Sequence, residues 1–396
     1  MNREDFDRKT DRHGTMSLKY DFNIQRGKPE DALQLWVADM DFGCPECVRE
    51  ELKKAVEAGI FGYTEADGRY YQAVLNWFEK HYGWKAKADW IIKTPGVVFA
   101  LAQAVKAYTA PGDGVLIQSP VYYPFYEVIR DNDRKIVENP LVLKDGHYEI
   151  DFEDLEKKIA EENIKLMFLC SPHNPVGRVW TKEELEKIGK IIRKYQVILV
   201  SDEIHCDLVR PGFVHHVFPE AVKEAEDQVI VCTAPSKTFN LAGLQVSNIF
   251  IKNPSLRAAF KKEVDRAGYS QLNMPGLIAC RSAYEGGEAW LETCKEYLWE
   301  NLEYLKQAVE TRLPGVKLIE PEGTYFAWLD FRSLGKTPEE LRELVLHKAK
   351  LWLDDGDIFG KPGYGFERVA YACQRSTLEE AVRRLEAVLK KWKVSV

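Results

Sequence analysis

Long apolar runs are missing from this chain: no stretch approaches the ~20 residues that a membrane helix requires. A basic excess is missing too. Lys and Arg number 55 against 62 Asp and Glu, a formal net charge of −7. That balance argues against a nucleic-acid partner, which normally meets a positive face. The opening Met1-Asn2-Arg3-Glu4-Asp5-Phe6-Asp7 lacks an apolar segment and mixes charges, so no secretory signal is expected there. Repeats, low-complexity tracts and long Gly/Ser linkers are also absent. What remains, 396 residues with 45% hydrophobic and 30% charged, is enough to bury a large core in two or three domains.

Cysteine is not scarce, but its pattern excludes two roles. Most of the eight cysteines sit among apolar or small residues, as in Met167-Phe168-Leu169-Cys170, which suits reduced thiols of a cytoplasmic protein. Cys44-Pro45-Glu46-Cys47 has the C-x-x-C spacing. No second pair at zinc-like spacing follows it and no thioredoxin-like context surrounds it, so no metal site is expected.

The middle of the chain alternates short apolar runs with helical patterns. The runs are 114–118, 164–170, 195–201 and 228–232, each bounded by turn formers and too short for an ordinary helix. Thr181-Lys182-Glu183-Glu184 opens a helix with a capping-box signature, followed by Leu185, Ile188, Ile191 and Ile192 at helical spacing. Such alternation predicts an α/β fold with a mostly parallel sheet covered on both faces. Towards the end the pattern changes: helices over 290–313, 338–350 and 377–392 and a strand over 323–330 suggest a smaller α+β domain. The expected division is a large domain over 46–280 and a small one made of 1–45 with 281–396.

In open parallel sheets, ligands bind beyond the carboxyl ends of the strands. Here those ends carry unusual residues: Tyr122 after the first run, Asn174 after the second, Asp202 and His205 after the third, Ser236 and Lys237 after the fourth. A lysine in a partly apolar cleft loses basicity and can attack a carbonyl. A carboxylate ending an apolar strand is costly unless paired, and one use for Asp202 is to keep a pyridine nitrogen protonated. Tyr122 could stack on such a ring and Asn174 could donate to a ring hydroxylate. Gly96-Val97-Val98 opens a helix over 99–108 whose free amides suit a phosphate. Arg368, in Phe366-Glu367-Arg368-Val369-Ala370, has the fork that binds a carboxylate bidentately. Each of these taken singly has an ordinary structural explanation; the ordered set does not.

The ordered set of Gly96, Pro120-Val121-Tyr122, Asn174-Pro175-Val176-Gly177, Asp202-Glu203-Ile204-His205, Ser236-Lys237 and Arg368 resembles the class I/II aminotransferase family of fold-type I pyridoxal 5′-phosphate (PLP) enzymes. Within it, Leu35-Trp36-Val37-Ala38-Asp39-Met40-Asp41-Phe42, Phe61-Gly62-Tyr63-Thr64 and Ala234-Pro235-Ser236-Lys237-Thr238-Phe239-Asn240 are similar to the cystathionine β-lyase branch of MalY/PatB-type C–S lyases. The resemblance implies Lys237 as the Schiff-base lysine, Asp202 at the pyridine nitrogen, Asn174 at the ring oxygen and Tyr122 on the ring. It places Gly96, Val97, Val98, His205 and Ser236 around the cofactor, and Arg368, Ala38 and Asn174 at the substrate. It further implies that Tyr63 reaches the cofactor phosphate of a neighbouring subunit in a homodimer. The sequence departs from the wider family in carrying His205 for a Tyr, Gln245 for an Arg, Ser171 and Ala370 for Asn, and Phe99 for a Pro. The first two departures look like the lyase branch.

The implied activity is β-elimination from a sulfur amino acid to a thiol, pyruvate and ammonia. Two rivals stand beside it: an aminotransferase on the same residues, and a PLP-binding regulator with little turnover. A nicotinamide enzyme is disfavoured, because the one glycine-rich loop, Gly360-Lys361-Pro362-Gly363-Tyr364-Gly365, lies late in the chain outside any strand-to-helix unit.

Overall fold

A computed structural model describes residues 3–393. Seven strands form the central sheet: β1 (Ile91–Thr94), β2 (Gly114–Ile117), β3 (Lys135–Glu138), β4 (Leu166–Cys170), β5 (Ile198–Asp202), β6 (Val229–Thr233) and β7 (Ser247–Ile251). Their order is β1-β7-β6-β5-β4-β2-β3. β7 runs antiparallel to both its neighbours, and the other adjacent pairs are parallel. The four expected strands are therefore adjacent members of one sheet. Alternate residues of each feed opposite cores: Met167, Leu169, Leu199 and Val231 on one side, Phe168, Cys170, Val200 and Ile230 on the other. That period-two division is why the strands read as continuous apolar runs.

Helices cover both faces. On one face α1 (Glu46–Ala58) and α2 (Gly68–Tyr82) pack against the helix Met274–Gly286. On the other, α3 (Val97–Tyr108) packs against the helix Pro254–Arg266. The helix Lys182–Tyr195 begins with the expected capping box, Thr181 accepting from the Glu184 amide while Glu184 returns to the Thr181 amide. It runs to Tyr195, and Gln196 closes it in the left-handed region at φ 57°. β5 thus starts at Ile198, three residues later than the apolar pattern suggests.

The long helix Glu288–Arg312 leads to a second, four-stranded antiparallel sheet: β8 (Lys317–Ile319), β9 (Phe326–Asp330), β10 (Asp354–Asp355) and β11 (Phe366–Ala370), in the order β8-β9-β11-β10. Near the N-terminus, Leu33–Gln34 pairs in parallel with Leu351–Trp352, and Trp36 stacks on Trp352 with ring centroids 4.3 Å apart. The helix expected over 338–350 is shorter and irregular. Pro338–Arg342 is α-helical, and Glu343–Lys348 widens into a π turn with the Ala349 amide bonded to the Leu344 carbonyl at 2.9 Å. The extra residue in the turn lets the consecutive Leu344, Val345 and Leu346 all be buried. The last helix spans Arg375–Lys393. Among the described residues, no helix is long and apolar enough to cross a membrane.

Candidate active site

The carboxyl ends of β4, β5 and β6 open onto a cavity of about 370 Å³, within the ~300–1,000 Å³ typical of small-molecule sites. Its walls bring together residues from far apart in the sequence. Asp202 and His205 come from the end of β5, Asn174 from the loop after β4, and Ser236 and Lys237 from the short helix after β6. Gly96, Val97 and Val98 come from the start of α3, while Tyr122 and Ala38 complete the wall. Arg368, on β11, lines a larger cavity of about 760 Å³ that shares Lys237, Tyr122 and Ala38 with the first. Tyr63 is the exception: it lines neither cavity and is 99% exposed.

The electrostatics set two groups apart. Burial pushes the Asp202 carboxyl up to about 7, offset in part by the Ile204 amide, which donates to Oδ1 at 3.2 Å, and by Lys237. Among the described residues no cation forms an ion pair with Asp202 within 4.0 Å. Burial also lowers the Lys237 amine to about 8, with Asp39 and Asp202 pulling it up and Arg368 pushing it down. The Lys237 ammonium donates to the Ala38 carbonyl at 2.7 Å. Glu203, one residue after Asp202, faces away: it accepts from Ser201 at 2.8 Å and from the Phe218 amide at 3.0 Å, and pairs with His215 at 2.9 Å. The alternation of an extended chain separates the two carboxylates.

His205 is 3% exposed, and burial holds its imidazole well below the usual range, so it is neutral. The rings of Tyr325 and Phe326 stand nearly perpendicular to it with centroids 5.8 and 5.6 Å away, and its Nδ1 is buried without a partner. Arg368 is 2% exposed. It donates to Asn174 Oδ1 at 2.8 Å and to the Trp36 carbonyl at 3.0 Å, forms an ion pair with Asp354, and leaves Nε buried without a partner. Its guanidinium lies 4.1 Å from the Phe326 ring centroid.

Gly96 takes φ 154° and ψ 161°, a region that side-chain-bearing residues essentially avoid. This turn delivers β1 into α3, whose first residues Val97, Val98 and Phe99 line the cavity. A twelve-residue helix presents there the positive end of its dipole. Cavity, amine, unpaired buried carboxylate and helix N-terminus together fit a flat phosphorylated pyridine aldehyde, which is what PLP is. Asp202 would hold the ring nitrogen, α3 and Ser236 the phosphate, and Lys237 the aldehyde carbon.

Tyr325 and Asp207 contribute without a signal in the sequence, whereas Asn240 belongs to the motif around Lys237. Tyr325 donates to the Ala38 carbonyl at 2.9 Å. Asn240 clamps the segment bearing Ala38, accepting from the Met40 amide and donating to the Met40 and Phe42 carbonyls. Asp207 accepts from Thr238, the neighbour of Lys237, at 2.6 Å and from Trp77 at 2.9 Å. The C-x-x-C pair is peripheral to the site: Cys44 and Cys47 are free thiols, and burial pushes both up, the reverse of an activated pair.

The chain is similar to known proteins over nearly its whole length. The chain is 43% identical to cystathionine beta-lyase PatB of Bacillus subtilis over 97% of its own length and 99% of that protein's. It is 31% identical to protein MalY of Escherichia coli, covering 96% and 97%. Among solved structures, cystalysin of Treponema denticola, which contains a pyridoxal 5′-phosphate cofactor, superposes with a TM-score of 0.95 at 42% identity, covering 98% and 99%. The family model for aminotransferase class I and II matches residues 30–385. The chain belongs to the class I and II aminotransferase family.

Proposed function

We propose that this protein is a PLP-dependent carbon–sulfur β-lyase acting on cystathionine- and cysteine-type amino acids. The observation that carries the reading is the pairing, in one cavity, of a lysine amine lowered to about 8 with a buried carboxyl that has no cation of its own. PatB and cystalysin, similar over nearly the whole chain, support the lyase reading over other chemistries of the family.

PLP, when bound, supplies an aldehyde for amines and an electron sink for the pair left on Cα. The protein's residues do the rest. Asp202 keeps the ring nitrogen protonated, so the sink stays electron-poor. Tyr122 covers the ring face and Asn174 meets its oxygen. Arg368 takes the substrate α-carboxylate beside Ala38, which fixes Cα within reach of Lys237. Lys237, neutral above about pH 8 and partly so below it, removes the Cα proton as a general base. The Cβ–S bond then breaks, its electron pair leaves with sulfur, and the thiolate takes a proton. The 2-aminoacrylate that is freed takes up water, giving pyruvate and ammonium, so no oxidant or reductant is needed.

The functional unit in this reading is a homodimer. Val56, Ile60, Phe61 and Tyr63 make an exposed apolar edge at 64%, 77%, 65% and 99% exposure, suited to burial against a second copy. Tyr63 there completes the phosphate end of the partner's cavity. The division in this reading is a large domain near 46–280, whose last helix runs on to Gly286, and a small one made of the N-terminal segment with the rest of the chain, and the free thiols suit the cytoplasm.

The test is incubation of the protein with cystathionine and no keto acid. Continuous release of pyruvate is expected. One turnover that stalls, with the cofactor left as its amine, identifies an aminotransferase instead. A bound chromophore with no product from several sulfur amino acids identifies a regulator.

A further inference from the structure

We propose that Tyr325 is a positioning residue that sets the proton affinity of Lys237 by sharing its acceptor, the Ala38 carbonyl. The inference deepens the functional reading above and rests on Lys237 being the reacting amine.

Two donors converge on one oxygen: Lys237 Nζ at 2.7 Å and the Tyr325 hydroxyl at 2.9 Å. The carbonyl is held for both of them. Asn240 ties the chain two and four residues further on. Lys19, 1% exposed, pairs with Asp41 at 2.8 Å, and Arg12 pairs with Asp39 at 2.7 Å. Ala38 therefore cannot swing to favour one donor. Tyr325 is fully buried, directly precedes β9, and is fixed by its own carbonyl, which accepts from the Tyr371 amide at 3.0 Å. Burial pushes its hydroxyl well above the ordinary tyrosine value, so it stays protonated as a donor.

An oxygen that already accepts one hydrogen bond has less electron density for a second. The Tyr325 hydroxyl thus weakens the bond that would hold Lys237 as an ammonium, and favours the neutral amine that both takes up an aldehyde and removes a proton. The other groups around Lys237 act alongside. Asp202 at the end of β5 and Asp39 beside Ala38 favour the ammonium; Arg368 on β11 opposes it. His205 is neutral, and Tyr122 stays protonated because burial raises its hydroxyl. Tyr325 is the one hydroxyl among them that shares the lysine's acceptor.

The experiment replaces Tyr325 by Phe, which keeps the ring that packs on His205. Two pH profiles are read: the acid limb of kcat in the holoenzyme, and the rate at which cofactor-free protein takes up PLP, followed by visible absorbance. In Y325F both move to higher pH, by about 0.5–1 unit for the loss of one neutral hydrogen bond. Site-specific 3-fluorotyrosine at 325, a stronger donor in the same fold, moves both the other way, and decides the matter should Y325F fold poorly. Profiles that stay in place in both variants, or that move to lower pH in Y325F, overturn the proposal. A purely structural role would change the melting temperature and leave the profiles alone. If the wild-type protein itself develops no absorbance with PLP, the functional reading fails; if it does and the profiles do not move, only this inference fails.

Discussion

Arg368 and Asp354 face each other directly across the antiparallel strands β10 and β11, and their side chains form a buried ion pair, 2% and 7% exposed. The guanidinium is thus oriented from behind by a carboxylate while its other hydrogen-bond acceptors, Asn174 and the Trp36 carbonyl, belong to the cavity wall. Removing it has two separable consequences. Arg368→Ala raises KM for amino acids about 10- to 100-fold, the worth of a hydrogen bond to a charged group. It also strands Asp354, which costs about 3–5 kcal/mol of stability. Adding Asp354→Leu restores much of the melting temperature and none of the KM. Steady-state kinetics and thermal melts on the single and double variants check both halves.

Lys237→Ala abolishes the reaction, lowering kcat by about 10³-fold or more, and removes the visible absorbance of the cofactor joined to a lysine. Borohydride reduction followed by peptide mapping places the tag on Lys237 in the wild type. A tag on another lysine reassigns the reacting amine.

Asp202→Asn acts in opposite directions on stability and activity. Without cofactor, the carboxyl titrates near 7 in the folded protein and near 3.9 in the unfolded chain. Between those values the folded state holds the proton that the unfolded state has lost, so wild-type stability falls as pH rises from about 4 to 7. The Asn variant lacks that loss. Its cofactor-free melting temperature equals that of wild type at the acid end and exceeds it increasingly up to pH 7. With cofactor, the same variant loses turnover by about 10²–10³-fold, since the ring nitrogen has no counter-charge. Melts across pH and a kcat measurement check the two signs.

Arg178 holds the loop that carries Asn174. It is 4% exposed, bonds Glu322 at 3.0 Å and Glu184 at 2.8 Å, donates to the Tyr148 carbonyl and lies over the Trp180 ring. Arg178→Met leaves Glu322 buried without this partner and lowers stability by about 3–5 kcal/mol. Denaturant unfolding measures the loss.

The parts of the site legible in the sequence are those where burial and polarity collide within a few residues. Asp202 ends a strand of Ile, Leu and Val, and Lys237 follows another, so sheet topology alone sends them to one crevice. The glycine at 96 announces its turn in the same local way. Tyr325 and the Ala38 carbonyl announce nothing: one reads as a strand aromatic, the other is backbone, and their meeting spans 287 residues of sequence. Asp354 likewise gains its meaning only from the register of β10 on β11. The π turn at Glu343–Lys348 is hidden for a different reason, because an added residue in one helical turn barely disturbs a hydrophobic pattern already dense in Leu and Val.

The strap that carries Ala38 reaches Lys237 across 199 positions, and Arg368 reaches the Trp36 carbonyl across 332. The pocket wall is therefore stitched from segments around positions 36–38, 237 and 368, far apart along the chain. During synthesis the amino-terminal piece leaves the ribosome long before the strand that must anchor it. The central sheet can assemble meanwhile, but the pocket stays open on one side until β11 has been made. In the proposed reading, a truncated product ending before β11 would carry the amine of Lys237 without the guanidinium of Arg368, and so meet aldehydes without the means to hold a substrate.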